Sequence, residues 1–167
     1  MQAATGICGV LAATFALAAA AADQPLGNFR DWNAMRFGGG AERACMAFSQ
    51  PVKSEGDYSK RDQAFVFVTH RPGTKERGRI SVETGYPFKP GSGVTLSVGE
   101  VSVTLATRAS TAWLDDDDAA QRVIQAMRRG RELEVRGTSS RGTDTVDRYS
   151  LYGFSAALDA IDKACAK

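Results

Sequence analysis

The residues best suited to covalent chemistry in this sequence are one serine in a glycine-containing motif and the single histidine. Residues 153–157 (GFSAA) lie between a predicted strand and a predicted helix, where α/β-hydrolases place their nucleophile. Such a site needs a parallel sheet and a histidine that follows the serine, but His70 precedes Ser155 in the chain. We interpret Ser155 instead as a helix N-cap, whose hydroxyl accepts from free backbone N–H groups. The sequence therefore predicts no catalytic residues, and a hydrolase using Ser155 or His70 is the least favoured alternative.

Metal binding is the second chemistry to consider, because four aspartates follow one another at positions 115–118. Calcium sites use several carboxylates, but they space them along a loop that contains a turn-making glycine. Acidic residues are also typical of the first turn of a helix, which is our interpretation here. Cys45, Cys165 and His70 lack close ligand spacing, and the chain has no phosphate-loop, zinc-protease or dinucleotide motif. We predict no metal and no cofactor.

The amino-terminal residues have the features of an export signal. Residues 7–22 are uncharged and apolar, shorter than the ~20 residues of a membrane-spanning helix, and end in small residues. The segment Ala20–Ala22 fits a signal-peptidase site, so we predict a signal peptide over residues 1–22 that is cleaved near Ala22. No basic residue precedes the apolar run, so an uncleaved anchor is the alternative. After cleavage we expect a periplasmic or secreted protein with no stable membrane span.

Removal of residues 1–22 leaves two cysteines, Cys45 and Cys165. An even pair in an exported protein predicts a disulfide, because oxidising compartments form and keep such bonds. Two unpaired thiols are the alternative. The charges of the chain, 21 basic and 19 acidic residues, are mixed along its length, and acidic residues interrupt the most basic stretch, residues 128–136. This distribution argues against a nucleic-acid partner.

The elements that would position these residues are mostly β-strands. Residues 23–28 are predicted as a flexible lead, and residues 29–167 as a single domain. We predict an antiparallel β-sandwich of about 7–8 strands, with one helix between late strands and one at the carboxyl end. The predicted strands are 29–37, 44–52, 64–69, 79–84, 94–98, 101–105, 131–138 and 146–152, and the predicted helices begin after the aspartates at 115–118 and at Ser155.

The clearest local pattern is a hairpin in the sequence VTLSVGEVSVTL. Its apolar residues alternate on both sides of Gly99-Glu100, a two-residue loop that suits a type II′ turn. The alternation pairs Val98 with Val101, and the pairs Leu96–Val103 and Val94–Leu105 follow on the same face.

Several aromatic residues flank the predicted strands and supply the candidate binding surface. They are Trp32, Tyr86, Phe88 and Trp113. Core packing is their ordinary role, and an exposed patch formed by some of them is the functional interpretation.

The carboxy-terminal stretch SLYGFSAALDAIDKAC, from Ser150 to Cys165, resembles the S-L-x-G-F-x-x-A-L signature of the invasion-associated locus B family. The FRDW motif at residues 29–32 and the segment IQAMRRGRELEV at 124–135 are compatible in order. The resemblance implies an exported bacterial protein with a β-sandwich fold, and for some members an association with host-cell invasion. It carries over no catalytic residue. The chain departs from the family in having no cysteine shortly after Trp32 or near Trp113, so its disulfide pattern must differ.

Three functions follow from these observations. The favoured one is a non-enzymatic periplasmic or surface protein that binds an envelope or host-surface component through a strand edge or an aromatic patch. The second is a periplasmic small-ligand carrier or envelope-stress factor, which needs a concave pocket. The third is the hydrolase considered above.

Overall fold

The computed structural model describes residues 23–166. The predicted signal peptide lies outside the described residues.

The described chain is mainly β, as predicted, but it has eleven strands rather than the expected 7–8. All pair antiparallel in the order β1-β2-β3-β5-β6-β9-β8-β7-β10-β11-β4. The strands are β1 (Gln24–Phe29), β2 (Trp32–Phe37), β3 (Ala44–Ser49), β4 (Lys53–Gly56), β5 (Phe65–Arg71), β6 (Glu76–Glu83), β7 (Val94–Val98), β8 (Val101–Arg108), β9 (Thr111–Trp113), β10 (Glu132–Thr138) and β11 (Asp144–Ser150). Strands β4 and β9 are too short to produce a readable hydrophobic alternation.

The prediction of a flexible lead over residues 23–28 is wrong, since Gln24–Phe29 form the edge strand β1. Pro25 and Gly27 obscure it in the sequence because both are turn residues. Proline is tolerated at a sheet edge, and the pairing with β2 is irregular between these two residues. The predicted strand over 29–37 is likewise two strands, joined by a tight turn at Arg30, which adopts a left-handed φ of 58°.

The predicted hairpin is confirmed with its register. Val98 pairs with Val101, and the two pairs expected beyond it form as well. Gly99 has a φ of 57°, which a two-residue loop beginning with glycine requires. Strand β8 then continues past the hairpin, where its last three residues pair with β9 instead of β7. The sheet therefore changes neighbours along β8, which joins its two halves.

Two α-helices complete the part of the fold that the structure describes, α1 (Asp117–Arg129) and α2 (Phe154–Ala164). The aspartate run begins α1 as predicted, because the Asp116 carboxylate accepts from the Ala119 N–H at 2.9 Å. The prediction that Ser155 caps α2 is wrong. Gly153 holds that position with a φ of 93°, and a side chain there would meet the Phe29 carbonyl oxygen at 1.7 Å. Only glycine fits this approach.

The hydrophobic core lies on one face of the sheet, called the inner face here, and both helices pack against it. Trp32 contacts Phe154 of α2 edge-on, with ring centres 4.8 Å apart. A disulfide joins Cys45 of β3 to Cys165 at the end of α2, with Cα atoms 5.9 Å apart, which is the pairing that the sequence predicts. The inner face is thus closed by packing and by a covalent bond.

Candidate binding sites

The four aromatic residues proposed from sequence do not form one surface. Trp32 is 0% exposed and its indole N–H donates to the Ser150 carbonyl at 2.8 Å. Phe88 is only 6% exposed and packs in the same core. For these two residues the prediction of a binding surface is wrong, because both side chains face inward. Tyr86 and Trp113 are half-buried, but they lie in two different places.

Trp113 belongs to the opposite, outer face of the sheet. Directly paired residues in an antiparallel sheet share a face. Phe48 of β3 pairs with Phe67 of β5, Phe67 pairs with Ser81 of β6, and Ser81 pairs with Trp113 of β9. A row of side chains therefore crosses four strands on the outer face.

This row is part of an apolar surface that we call the outer patch. It consists of Met35, Met46, Phe48, Phe65, Phe67 and Trp113. The phenylalanine rings contact one another, with Phe65 and Phe67 stacked at 5.8 Å and Phe48 6.2 Å from Phe67. All six residues are half-buried, and none belongs to the core cluster or packs against it. The outer patch is a second apolar layer, separate from the core.

Neither helix covers the outer patch. Helix α2 packs on β1, β2 and β3, and α1 packs on β6, β7 and β8, through residues of the inner face. Polar residues of both charges border the patch: Glu83 pairs with Phe65, Arg79 pairs with Thr69, and Arg108 pairs with Thr111. A contiguous apolar surface with a polar border is typical of an interaction site.

The sequence contains one signal for this patch. The segment AFVFVT (residues 64–69) is continuously apolar, which predicts a strand that is buried on both faces. In the structure Val66 and Val68 face the core, whereas Phe65 and Phe67 alternate onto the outer face. Strands that are apolar on both faces have continuous hydrophobic sequences. In β5, where only one face belongs to the core, the continuous apolar run therefore indicates that the outer face is apolar as well.

Tyr86 lies at a polar cleft formed by three connections at one end of the sheet. These are residues 57–62 before β5, residues 85–87 after β6, and residues 139–143 between β10 and β11, with Thr145 of β11 at the base. The cleft has a volume of about 390 Å³. Such a volume is within the ~300–1,000 Å³ typical of small-molecule sites.

A buried ion pair holds this cleft together. The Arg61 guanidinium binds the Asp147 carboxylate with two parallel hydrogen bonds, one of them Nη1 to Oδ1 at 2.8 Å. Its Nε donates to the Thr84 carbonyl at 2.5 Å, and Ser54 donates to Asp147 at 2.7 Å. The two charged side chains are 6% and 1% exposed. Burial by itself lowers the pKa of Arg61, but the hydrogen bonds and charge of Asp147 outweigh it and leave the pKa above its usual value.

Two tyrosines enclose the guanidinium of Arg61. Its central carbon lies 5.5 Å from the ring centre of Tyr58 and 5.1 Å from that of Tyr86, so both rings make cation–π contacts. The Tyr86 hydroxyl is within 2.5 Å of the Thr145 hydroxyl. Burial raises the pKa of Tyr86 above its usual value. Tyr58, by contrast, is 37% exposed and offers part of its ring to solvent.

Sequence reasoning missed Arg61, Asp147 and Tyr58. One usable signal exists in β11, where Thr145, Asp147 and Tyr149 alternate with outward residues and all face inward. An acidic residue at an inward position predicts a buried basic partner. Nothing local identifies Arg61 as that partner, because it lies 86 residues away in a connection.

The histidine considered for catalysis has no nitrogen available to act as a base. The Nδ1 atom of His70 accepts from the Gly78 N–H at 2.9 Å, and its Nε2 atom lies 2.8 Å from Asp162. Asp162 also binds Arg77 and Arg128. His70 is 2% exposed and fastens β5 to α2. Within residues 23–166, no group of three or more His, Cys, Asp or Glu side chains is placed to hold a metal ion.

Comparison with known protein families agrees with the resemblance seen in the carboxy-terminal stretch. The profile of the invasion-associated locus B protein family matches residues 32–162, which is most of the chain. The chain belongs to this family. Neither the curated proteins nor the solved structures contain a match. No helix in the described part of the chain is long and apolar enough to cross a membrane.

Membership of the family associates the chain with invasion and with export. The matched segment starts at the buried Trp32 and ends at Asp162, so it includes both the outer patch and the cleft.

Proposed function

We propose that this protein is an exported, non-enzymatic module of the bacterial envelope or cell exterior that binds a partner protein through the outer patch. The observation that carries the proposal is the apolar surface of Phe48, Phe65 and Phe67, which lies apart from the core and is covered by neither helix. Apolar patches with a polar border are typical of interaction sites on folded proteins.

The composition of the outer patch supports a protein as the partner. Aromatic residues and methionine are enriched in the centres of protein interfaces, where they carry much of the binding energy. The border has both charges, with Arg79 and Arg108 basic and Glu83 acidic. A surface for anionic lipids is mainly basic. The partner is therefore a protein that presents apolar side chains surrounded by polar groups of both charges.

Export and a periplasmic or secreted location have separate support. Residues 7–22 have the composition of a signal peptide, and a disulfide persists in an oxidising compartment. Mass spectrometry of the protein recovered from its own cells tests this point. We expect Asp23 as the first residue, and an intact amino terminus would contradict cleavage.

Site-specific photo-crosslinking tests the binding role. A benzoylphenylalanine at position 67 is expected to capture one partner protein in intact cells, whereas the same residue at position 152 captures none. Tyr152 is a suitable control because it is 63% exposed and lies outside the patch. The purified partner should then bind the mature protein, and Phe48→Ala/Phe67→Ala should weaken that binding at least tenfold.

Two outcomes would contradict the proposal. Equal capture from positions 67 and 152 would show that the outer patch has no specific partner. A crosslink from position 67 to a second copy of this chain would replace the partner protein by self-association.

A further inference from the structure

We infer that the cleft around Tyr58 is a second binding site, and that its ligand is a neutral saccharide. The inference does not depend on the outer patch, because none of the six patch residues lines the cleft. It turns the small-ligand alternative into a specific site with a specific ligand class.

The charges around the cleft balance, which favours an uncharged ligand. Lys60 and Arg141 are the basic residues at its rim, and Asp57 and Asp62 are the acidic ones. The charge of Arg61 is already neutralised by Asp147. An anionic ligand would meet two carboxylates, and a cationic ligand would meet two basic side chains.

The turn between β10 and β11 also argues against an anion. Anion sites are often built from several free backbone N–H groups in a turn. In the turn between β10 and β11, those of Ser139 and Gly142 donate to carbonyl groups, each at 2.8 Å. The Ser140 N–H donates to Pro87 at 2.7 Å, and the Thr143 N–H donates to the Ser139 hydroxyl at 3.1 Å. Four backbone N–H groups of this turn are therefore already bonded, which leaves no row of adjacent free donors in it for a phosphate or carboxylate.

The hydroxyl groups and the aromatic ring that line the cleft are suited to binding a sugar. Hydroxyl groups of Ser59 and Ser140 line the cleft, and they can both donate to and accept from ligand hydroxyls. The Thr143 hydroxyl donates to the Asp57 carbonyl at 3.3 Å and can still accept from a ligand. The exposed part of the Tyr58 ring is a flat apolar surface against which the C–H face of a sugar can pack. Arg61 supports this ring from the protein side and is itself fixed by Asp147 and Thr84. The platform is thus formed before a ligand arrives, which reduces the entropic cost of binding.

The ligand extends beyond one sugar ring. A second hollow of about 320 Å³ lies between residues 50–54 and residues 61–64. It shares Tyr58, Arg61 and Asp62 with the cleft. Tyr58 therefore stands between two adjoining depressions, so that successive rings of an oligosaccharide can contact both.

Titration of the mature protein with defined neutral sugars tests this site. The probes are N-acetylglucosamine, its tetramer, mannose and a neutral mannose oligomer, followed by ¹⁵N NMR. We expect resonance shifts at residues 57–62, 85–87 and 139–145, and at least tenfold tighter binding of an oligomer than of its monomer. Tyr58→Ala should weaken binding at least tenfold, and Tyr58→Phe should retain most of it. A preference between animal-type mannose glycans and neutral bacterial surface polysaccharides then identifies the natural source.

Matched variants separate this site from the rest of the surface. Tyr152 is also an exposed tyrosine with an arginine over its ring, at 5.0 Å, so Tyr152→Ala should leave sugar binding unchanged. Phe48→Ala/Phe67→Ala should also leave it unchanged, even if that variant loses the protein partner. No shift with any probe at 20 mM would overturn the inference. So would binding of heparin alone that disappears with added salt, since that ligand is an anionic polymer held by Lys60 and Arg141.

Discussion

The two faces of the same strands have opposite roles in this molecule. In β5, Val66 and Val68 are completely buried in the core, whereas Phe65 and Phe67 lie on the outer face. Their neighbours follow the same division, since Val68 pairs with Ile80 and Phe67 pairs with Ser81. Adjacent residues of one strand thus belong to two apolar layers, only one of which is the core.

The difference shows which apolar residues stabilise the fold. Burial of an apolar side chain contributes about 25 cal/mol per Å² removed from water, so the inner residues contribute most. The outer residues remain partly in water and retain area that a partner can still bury. Substitutions on the inner face should therefore reduce stability, and substitutions on the outer face should reduce binding.

The largest effect on the inner face should come from its covalent bond. The disulfide between Cys45 and Cys165 spans 120 residues of sequence. In the chain-entropy model, a bond that closes a loop of this length stabilises by roughly 4–5 kcal/mol. Cys45→Ser/Cys165→Ser should lower the free energy of unfolding by about that amount, measured by urea denaturation. The reduced native protein should behave like the variant, and an unchanged urea midpoint after reduction would contradict the prediction.

The next largest effect concerns the deeply buried ion pair of Arg61 and Asp147. Asp147→Ala leaves the Arg61 guanidinium buried without its carboxylate, and breaking a buried pair in this way costs about 3–5 kcal/mol. Thermal and urea unfolding would measure the loss. The matched control is Asp159→Ala, because Asp159 is exposed and binds Arg128 at 2.8 Å on the surface. Such surface pairs contribute ~0–1 kcal/mol, and equal losses in both variants would contradict the assigned difference in burial.

Substitutions in the neighbouring strands β6 and β5 compare the inner and outer faces directly. Ile80→Ala removes a fully buried side chain and should destabilise by about 2–4 kcal/mol, within the range for such cavities. Phe67→Ala removes a larger side chain from the outer face and should cost about 1 kcal/mol or less. Urea denaturation of both variants measures this difference. If Phe67→Ala were the more destabilising change, the outer patch would belong to the core.

The sequence predicts the inner face better than the outer one. Alternating apolar residues determined the β7–β8 hairpin with its register, and the aspartate run and Gly130 bracketed α1. These signals are local and arise from the period of the element itself. The division of residues 29–37 into two strands was missed because the tight turn at Arg30 contains no glycine or proline.

The binding sites depend on contacts that no local pattern contains. The outer patch combines residues of β2, β3, β5 and β9, and only the strand order brings them together. The cleft combines three connections and a pair, Arg61 and Asp147, that are 86 residues apart. The aromatic residues chosen from sequence were partly wrong because aromatic character does not reveal the direction of the side chain. Trp32 and Trp113 are the same residue type, yet their side chains lie on opposite faces of the sheet.

The smallest predicted effect concerns the one inner tyrosine whose hydroxyl lacks a partner. Tyr149 is fully buried, and its oxygen makes no hydrogen bond within the described residues. A buried polar group left unsatisfied is unfavourable, so Tyr149→Phe should be neutral or stabilising by up to about 1 kcal/mol at pH 7. A loss of more than 1 kcal/mol would show that the hydroxyl has a stabilising role.

The same tyrosine gives this prediction a pH dependence. Burial, and then the charge of Asp147, raise the pKa of Tyr149 above its usual value of 10.0. A group whose pKa is higher in the folded state binds its proton more tightly there. The stability that this proton contributes is complete below pH 10 and is lost as the pH rises further. Wild-type stability should therefore fall above pH 10, and that of Tyr149→Phe should fall less steeply. Tyr152→Phe, at an exposed position, should follow the wild-type curve, and parallel curves for all three proteins would contradict the assignment to Tyr149.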